Sequence, residues 1–393
     1  MTERISPAAG VGFGLMCLGM FMAILDIQVV ATSIPTLQHA LGIAPDQISW
    51  IQTAYLIAEV IAIPLTGVLT RILTMRWLFV VALSVFTVSS AGCAMSNGFP
   101  ALIAWRVLQG FSGGTLIPSV FAAVFLLFPQ RRQALATTVA GVLAVLAPTI
   151  GPVVGGWITD TYSWRWLFLI NVAPGVVAAT GAVWLLPWDA PKPGEARTLD
   201  LLGPALMALA LAAVEIGLKE APEQGWRSPW VLALAATAIG AGTAFTLRTL
   251  GARHPVVRLA TFRDRGFAVG CVLSFVLGIG LFGSVYLMPV FLGAVRGYGA
   301  LRIGEVMLVT GLAQLASAPL AVALERRTGA RGLSAAGFAL FAAGLAMSVG
   351  ETPDTGFSQM FWPQVVRGIA IMFCLLPPTR MALGHLPDAL VAD

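Results

Sequence analysis

The feature that most constrains this chain is a series of apolar stretches, each about 20 residues or longer, with few or no charged side chains. A bilayer core about 30 Å thick needs roughly that many apolar residues per helix, because a helix rises about 1.5 Å per residue. We therefore predict twelve transmembrane helices. Their approximate ranges are 10–37, 47–70, 77–96, 101–128, 133–158, 165–188, 200–218, 229–250, 266–293, 303–325, 332–350 and 357–380.

The composition excludes a soluble globular protein. Of the 393 residues, 58% are apolar and only 10% are charged, and the mean hydropathy is +0.87. The net charge of +5 does not indicate a nucleic-acid partner, because most of the basic residues occupy short connectors. The four cysteines lie in apolar stretches without metal-ligand or disulfide spacing, so neither a disulfide framework nor a metal site is expected. The sequence predicts an all-α polytopic membrane protein.

The basic residues also predict the orientation of the chain. Alternate sides of the predicted spans carry 15 and 5 Lys and Arg residues, and three more fall within spans. Cytoplasmic loops are the ones enriched in Lys and Arg. We therefore expect a cytoplasmic N-terminus and, with an even number of helices, a cytoplasmic C-terminus.

An internal repeat relates the two ends of the sequence. At an offset of 255 residues the second span and its connector are echoed by the tenth, and a weaker echo at 258 relates the fourth span to the twelfth. Two related halves around a midplane cavity are typical of transporters, because rocking one half against the other alternates access. The matching pairs are Ile48 and Ile303, Pro64 and Pro319, Arg71 and Arg326, Arg76 and Arg331, Val107 and Val365, and Gly110 and Gly368.

The repeat predicts a division into three parts. Residues 1–190 form a six-helix half, 191–262 a linker with two inserted helices, and 263–393 a second half with four of six expected helices. On this interpretation two further helices belong after residue 393.

Charged side chains inside the spans mark candidate sites, because each costs about 2.5–3.5 kcal/mol at a helix centre. Asp26 follows an uncharged run that begins at Pro7. An acid shielded from water can alternate between protonated and ionised forms as its access alternates, which proton coupling requires. We predict Asp26 as the proton carrier; the alternative is a carboxylate locked by hydrogen bonds at the rim of the cavity.

Three further charged residues within the spans are assigned a role. Arg106 keeps its charge and must face an acid, carbonyl groups or water, so we predict that it adjusts the proton affinity of Asp26 or Glu59. A purely structural bond is the alternative. Glu59 is predicted to be a cavity acid that binds a cationic substrate, with a polar packing contact as the alternative. Arg367 and its neighbour Gln364 are assigned a structural role.

The fifth span combines glycines with prolines. Gly151, Gly155 and Gly156 recur at the small-residue spacing that lets helix backbones approach closely, and Pro148 and Pro152 bend the span. Tight packing alone would use the glycines. The two prolines favour a shaped, gating helix.

Together these motifs resemble the major facilitator superfamily, specifically its fourteen-helix drug/proton antiporters of the EmrB/QacA type. LDIQVVATSIP resembles the first-helix motif, GVLTRILTMR the signature loop, LIAWRVLQGFSGG the fourth-helix motif and APTIGPVVGGW the antiporter motif. The signature loop departs from the family pattern, because its usual Asp and Gly are Arg71 and Thr74 here. The residues that the resemblance adds as candidates are Gln109 for substrate binding, and Gly67, Arg71, Arg76 and Gly110 for gating or packing.

The resemblance implies a proton-coupled exporter of small amphipathic or cationic compounds in the inner membrane. It implies a periplasmic adaptor and an outer-membrane channel as partners, and no cofactor or catalytic residue. A facilitator or importer with the same fold is one alternative. A non-transporting membrane scaffold is another, although the loops are short for that role.

Overall fold

The backbone follows the helical plan that a bilayer imposes, since a helix satisfies its own backbone hydrogen bonds. The computed structural model describes residues 7–44, 47–187, 202–251 and 259–383. These ranges contain α-helices and one short 3-10 helix, Leu259–Arg263, and no strand. The α-helices are α1 (Pro7–Thr32), α2 (Ile34–Leu41), α3 (Trp50–Met95), α4 (Phe99–Leu127), α5 (Gln130–Thr161), α6 (Trp166–Leu169), α7 (Val172–Leu185), α8 (Leu202–Gln224), α9 (Pro229–Gly251), α10 (Arg265–Ala294), α11 (Ala300–Met347) and α12 (Phe357–Leu383).

The described helices match the predicted spans. Nine of those in the described ranges are long and apolar enough to cross a membrane, with α6 and α7 taken together. Two of the nine, α3 with 46 residues and α11 with 48, are each divided by one non-helical residue. When both are divided and α12 is added, the helices correspond one for one to the twelve predicted ranges. The prediction of an all-α polytopic membrane protein is confirmed.

Two predicted spans are interrupted. The range 10–37 is broken at Ser33, because α1 ends at Thr32 and Pro35, at the start of α2, has no backbone N–H to continue the ladder. The range 165–188 is divided between α6 and α7, with Ile170 and Asn171 between them. This second interruption brings Asn171 into the functional site described below.

The two divided helices share one backbone conformation. Thr74 in α3 has φ 69° and ψ 159°, and Gly329 in α11 has φ 74° and ψ 165°. The two positions are 255 residues apart, which is the offset of the sequence repeat. The chain therefore changes direction in the same way at the same place in each repeat.

A second relationship places the crossing helices alike in the two repeats. A Cβ atom at Gly110 of α4 would overlap the backbone carbonyl of Tyr55 in α3, and a Cβ atom at Gly368 of α12 would overlap that of Thr310 in α11. Both contacts need a glycine, because the backbones themselves touch. The weaker echo at 258 residues thus corresponds to an equivalent helix crossing.

Two apolar clusters fill the bundle around α1. One contains Met20 and Phe79, and the other contains Val29 and Phe168. Asp26 lies on α1 between them and is wholly buried. The apolar layers on both sides keep water away from this part of the bundle.

The hairpin of α8 and α9 packs on α3 through α8. The ammonium of Lys219 lies 4.4 Å from the ring centroid of Trp50, at the first residue of α3. The predicted boundary at 190/191 lies outside the described residues, and the three-part division stays a prediction.

Candidate functional site

Asp26 accepts hydrogen bonds from three side chains of the first repeat, two on α4 and one directly before α7. Arg106 Nη1 donates to Asp26 Oδ2 at 2.5 Å, and Gln109 Nε2 donates to Oδ1 at 2.9 Å. Asn171 Nδ2, from the residue directly before α7, also donates to Oδ1, at 2.8 Å. All four side chains are at most 1% exposed. Asp26 therefore joins α1, α4 and the start of α7 at a single carboxylate.

Arg106 is held by a carbonyl and a ring as well as by the acid. Its Nε donates to the carbonyl of Ile51 at 3.1 Å, and its guanidinium carbon lies 4.3 Å from the centroid of the Tyr55 ring. Arg106 Nη1 also donates to Gln109 Oε1 at 2.8 Å, a contact that the i,i+3 spacing on α4 allows. Its Nη2 has no acceptor within the described ranges. The cation is thus fixed on three sides.

Gln109 uses its whole amide within this cluster. Besides its bonds to Asp26 and Arg106, its Nε2 donates to Ser90 Oγ at 2.8 Å and its Oε1 accepts from Cys93 Sγ at 3.7 Å. An amide has two donor hydrogens and two acceptor lone pairs, so all are engaged. In this conformation Gln109 has no free group to offer a substrate, and it orients Asp26 and Arg106.

Glu59 lies beside the cluster without joining it. It is one turn beyond Tyr55 on α3, it is 7% exposed, and its charge acts on both Asp26 and Arg106. Its carboxylate has no hydrogen bond to any described residue. A Cβ atom at Gly114 of α4 would stand 2.6 Å from the Glu59 carbonyl oxygen, so the backbone is tightly held there. Glu59 is therefore the acid of this region that remains available to a ligand.

The glycines of α5 face two different helices. A Cβ atom at Gly151 would stand 2.6 Å from Gln28 Cβ, and one at Gly155 would stand 2.6 Å from the Val29 carbonyl oxygen, both on α1. A Cβ atom at Gly156 would instead stand 2.6 Å from Leu301 Cα on α11. The glycines thus let one segment of α5 contact both α1 and α11.

Helix α11 approaches α5 through its own glycines. A Cβ atom at Gly304 would overlap the carbonyl of Pro152, and one at Gly311 would stand 2.6 Å from Thr149 Cα. Asp160 Oδ2 accepts a hydrogen bond from the Leu301 backbone N–H at 3.1 Å. These contacts close the end of the bundle at which α5 ends and α11 begins.

The signature segment of α3 meets the end of α7. The Arg76 side chain is 7% exposed and donates to the carbonyls of Val183 and, at 3.4 Å, Leu186. A cation at these carbonyls also faces the negative end of the helix dipole. Arg71 is exposed, and the site of a Cβ atom at Gly67 has no neighbour within 4 Å. The structure brings Arg76 into a packing contact and leaves Gly67 in open space.

Sequence reasoning missed Asn171, Ser90 and Tyr55. The available signal was weak. An uncharged polar side chain within a predicted span costs less free energy to insert than a charged one, and many such side chains hydrogen-bond to a backbone carbonyl of their own helix. Asn171 was the most accessible of the three, since it is an amide inside the run WRWLFLINVAPG.

Comparisons with known proteins agree with this architecture. The family model described as Major Facilitator Superfamily matches residues 16–390. Over 97% of its length the chain is 36% identical to the colistin resistance protein EmrB of Acinetobacter baumannii, of which it covers 75%. Over 96% it is 29% identical to the multidrug export protein EmrB of Escherichia coli, of which it covers 74%. A solved structure of the peptide transporter POT superposes with a TM-score of 0.67 at 14% identity, covering 97% of this chain and 84% of that one.

The fold and the matches define a polytopic transporter, not an enzyme. The chain belongs to the Major Facilitator Superfamily, and within it to the EmrB type.

Proposed function

We propose that this protein is a proton-coupled efflux transporter that expels small amphipathic or cationic compounds by alternating access. The observation that carries the proposal is the buried ion pair of Asp26 and Arg106, which joins α1 to α4 at 2.5 Å. The names of the relatives, which refer to multidrug export and colistin resistance, support the choice of cargo.

The ion pair gives proton binding a mechanical consequence. When Asp26 is ionised, it neutralises Arg106 and holds α1 against α4. Protonation removes that negative charge and leaves a buried guanidinium without its counter-ion, which is strongly unfavourable. Helices α1 and α4 would then rearrange to bring Arg106 another partner. Gln109 and Asn171 act as positioning residues, because they fix the carboxylate on its other oxygen.

Movement of α1 also affects the contact between α5 and α11. Gly151 and Gly155 of α5 pack on α1 only a few residues beyond Asp26, and Gly156 packs on α11. A shift of α1 therefore acts on the α5–α11 contact that closes one end of the bundle. We propose that Pro152 lets α5 bend as this contact opens.

The membrane potential supplies enough work for useful export. One proton that crosses 100 mV yields about 2.3 kcal/mol, which sustains a concentration ratio of about fifty-fold when one proton is exchanged for one uncharged substrate molecule. Glu59 is the proposed contact for a positive group on the cargo, since its carboxylate is the acid near the cluster with no hydrogen bond to a described residue.

The cellular setting is proposed on the same terms. The excess of Lys and Arg on one side of the spans favours a cytoplasmic N-terminus, and the family favours the inner membrane. The family suggests a periplasmic adaptor and an outer-membrane channel as partners.

Everted membrane vesicles with an imposed pH gradient test the proposal. Ethidium is added outside, and its uptake is recorded with the gradient present and after an ionophore collapses it. We expect uptake that requires the gradient and stops on its collapse. Equal uptake under both conditions would exclude antiport and favour the facilitator alternative.

A further inference from the structure

A buried cation also lies in the other repeat, on α12. Arg367 is 6% exposed and Gln364, one turn before it, is wholly buried. Arg367 Nη2 donates to Gln364 Oε1 at 2.6 Å, and the hydroxyl of Thr310 on α11 donates to the same oxygen. These three side chains form what we call the α12 cluster.

Two N–H groups of the α12 cluster are unsatisfied. Arg367 Nε and Gln364 Nε2 are shut off from solvent, and neither has an acceptor within the described ranges. A buried donor without an acceptor costs about 1–3 kcal/mol, and more when it carries charge. The bond from Arg367 to Gln364 Oε1 uses the acceptor of the amide and leaves its NH₂ group free, so both open groups are donors.

Comparison with the first repeat shows what is missing. At the 258-residue offset Gln364 corresponds to Arg106 and Arg367 to Gln109, so the same two residue types have exchanged places. The acid is not repeated. The positions 255 and 258 residues after Asp26 hold Leu281, which packs with an apolar cluster, and Ser284, whose hydroxyl donates to the carbonyl of Leu281 at 2.9 Å. Helix α10 therefore provides no carboxylate at the place where α1 has one.

Glu351, in the connector before α12, is the acid whose charge acts on Arg367. It makes no ion pair with Arg367 within 4.0 Å, and its Oε1 is itself buried without a hydrogen-bond partner among the described residues. The guanidinium and this carboxylate are therefore attracted to each other without being joined.

We propose that Arg367 and Gln364 form a subsite for the carboxylate of an amphipathic organic acid. A carboxylate accepts two N–H groups side by side, and charge-assisted bonds of this kind are about twice as strong as neutral ones. An arginine fork suits this geometry better than a lysine ammonium does. A bound carboxylate would take the place of the missing acid. It would accept hydrogen bonds from Arg367 and Gln364 on α12, as Asp26 does from Arg106 and Gln109 on α4. The inference rests on the proposed function in treating the bound acid as cargo.

Three probes with one aromatic body test the subsite: 1-naphthylacetate, 1-naphthylmethanol and 1-naphthylmethylammonium. Their binding to the purified full chain in lipid nanodiscs is measured without any proton gradient. We expect the native protein to bind the acid about tenfold more tightly than the alcohol, as two charge-assisted hydrogen bonds allow. Arg367→Gln should remove that preference and leave the alcohol affinity unchanged, and Arg367→Lys should keep part of it.

Controls separate the subsite from a general effect of charge or folding. Arg265→Gln removes an equal charge at an exposed position on α10 and should leave the preference intact. Gln364→Met keeps the arginine and should weaken binding of the acid probe alone. Glu351→Gln should strengthen binding of the acid probe, because it removes a competitor for Arg367. Retained alcohol binding shows that each variant is folded.

The proposal is overturned if Arg367→Gln and Arg265→Gln keep the same ratio of acid to alcohol affinity as the native chain. It is also overturned if Arg367→Gln weakens binding of the ammonium probe as much as it weakens binding of the acid. Binding is measured without a gradient, so a failure of proton coupling in vesicles would not change the acid preference. Loss of the acid preference would likewise not change the outcome of the vesicle experiment.

Discussion

Thr74 and Gly329 have the same left-handed, extended backbone conformation at equivalent places in the two repeats. Their φ angles are 69° and 74°, and their ψ angles are 159° and 165°. This region of backbone space is open essentially to glycine alone, so Thr74 is strained by about 1–3 kcal/mol. The hydroxyl of Thr74 is also buried without a partner in the described ranges. The two repeats thus share this backbone conformation although one has threonine and the other glycine.

Thr74→Gly should therefore stabilise the protein by about 1 kcal/mol, because relief of strain exceeds the added flexibility of glycine in the unfolded chain. Gly329→Thr is the matched reverse change and should destabilise it by about 1–3 kcal/mol. Thermal unfolding in detergent measures both. Equal shifts of the same sign would show that the two positions are not equivalent.

Gly156→Val should stop transport by keeping α5 and α11 apart, because Leu301 Cα lies where the new side chain would begin. Gly141→Val, on the same helix, has no neighbour within 4 Å and serves as the control. We expect about a tenfold loss of transport or more in the first variant, because overpacking against a backbone costs about 1–3 kcal/mol, and little change in the second. Similar losses in both would attribute the effect to helix propensity.

The closure itself can be followed by cross-linking. Asp160 accepts a hydrogen bond of 3.1 Å from the backbone N–H of Leu301, so cysteines at these two positions should be joined by a short bifunctional thiol reagent. Adding Gly156→Val should reduce the yield, whereas Gly141→Val should not. An unchanged yield would mean that Gly156 does not control this end of the bundle.

Arg76→Ala should loosen the end of α7, since it removes two charge-assisted hydrogen bonds to the carbonyls of Val183 and Leu186. The expected loss of stability is about 1.5–3 kcal/mol. Hydrogen exchange should accelerate at 180–187, and Arg76→Lys should restore part of the protection. Arg132→Ala changes an exposed arginine at the start of α5 and should have no such effect.

The fold followed from the sequence to a large extent, because the bilayer leaves few choices. Long apolar stretches can only be helices there, and the offset of 255 residues already related Arg76 to Arg331. The interruption at Ser33 was not predicted, since α1 and α2 form one apolar stretch and a proline near a helix start is compatible with either continuation or a break.

The candidate site was only partly predictable. Asp26 and Arg106 stood out because isolated charges are rare in spans, but the sequence left open whether Arg106 faces an acid or carbonyls. It faces both, through Asp26 and Ile51. Asn171 was missed because its position depends on the break between α6 and α7, which no periodicity marks.

Asp26 is the proposed proton carrier of an antiporter. Gradient-driven ethidium uptake into everted vesicles tests this role in three proteins: native, Asp26→Asn, and Asp354→Asn, whose changed residue is an exposed acid in the connector before α12. The amide of the first variant cannot ionise, although it has nearly the shape of the acid. Downhill ethidium exchange, measured without a gradient, shows which variants are folded.

We predict that Asp26→Asn loses the gradient-driven part of the uptake and keeps the downhill exchange, while Asp354→Asn behaves as the native protein does. Gradient-driven uptake by Asp26→Asn at the native level would show that Asp26 is not the proton carrier.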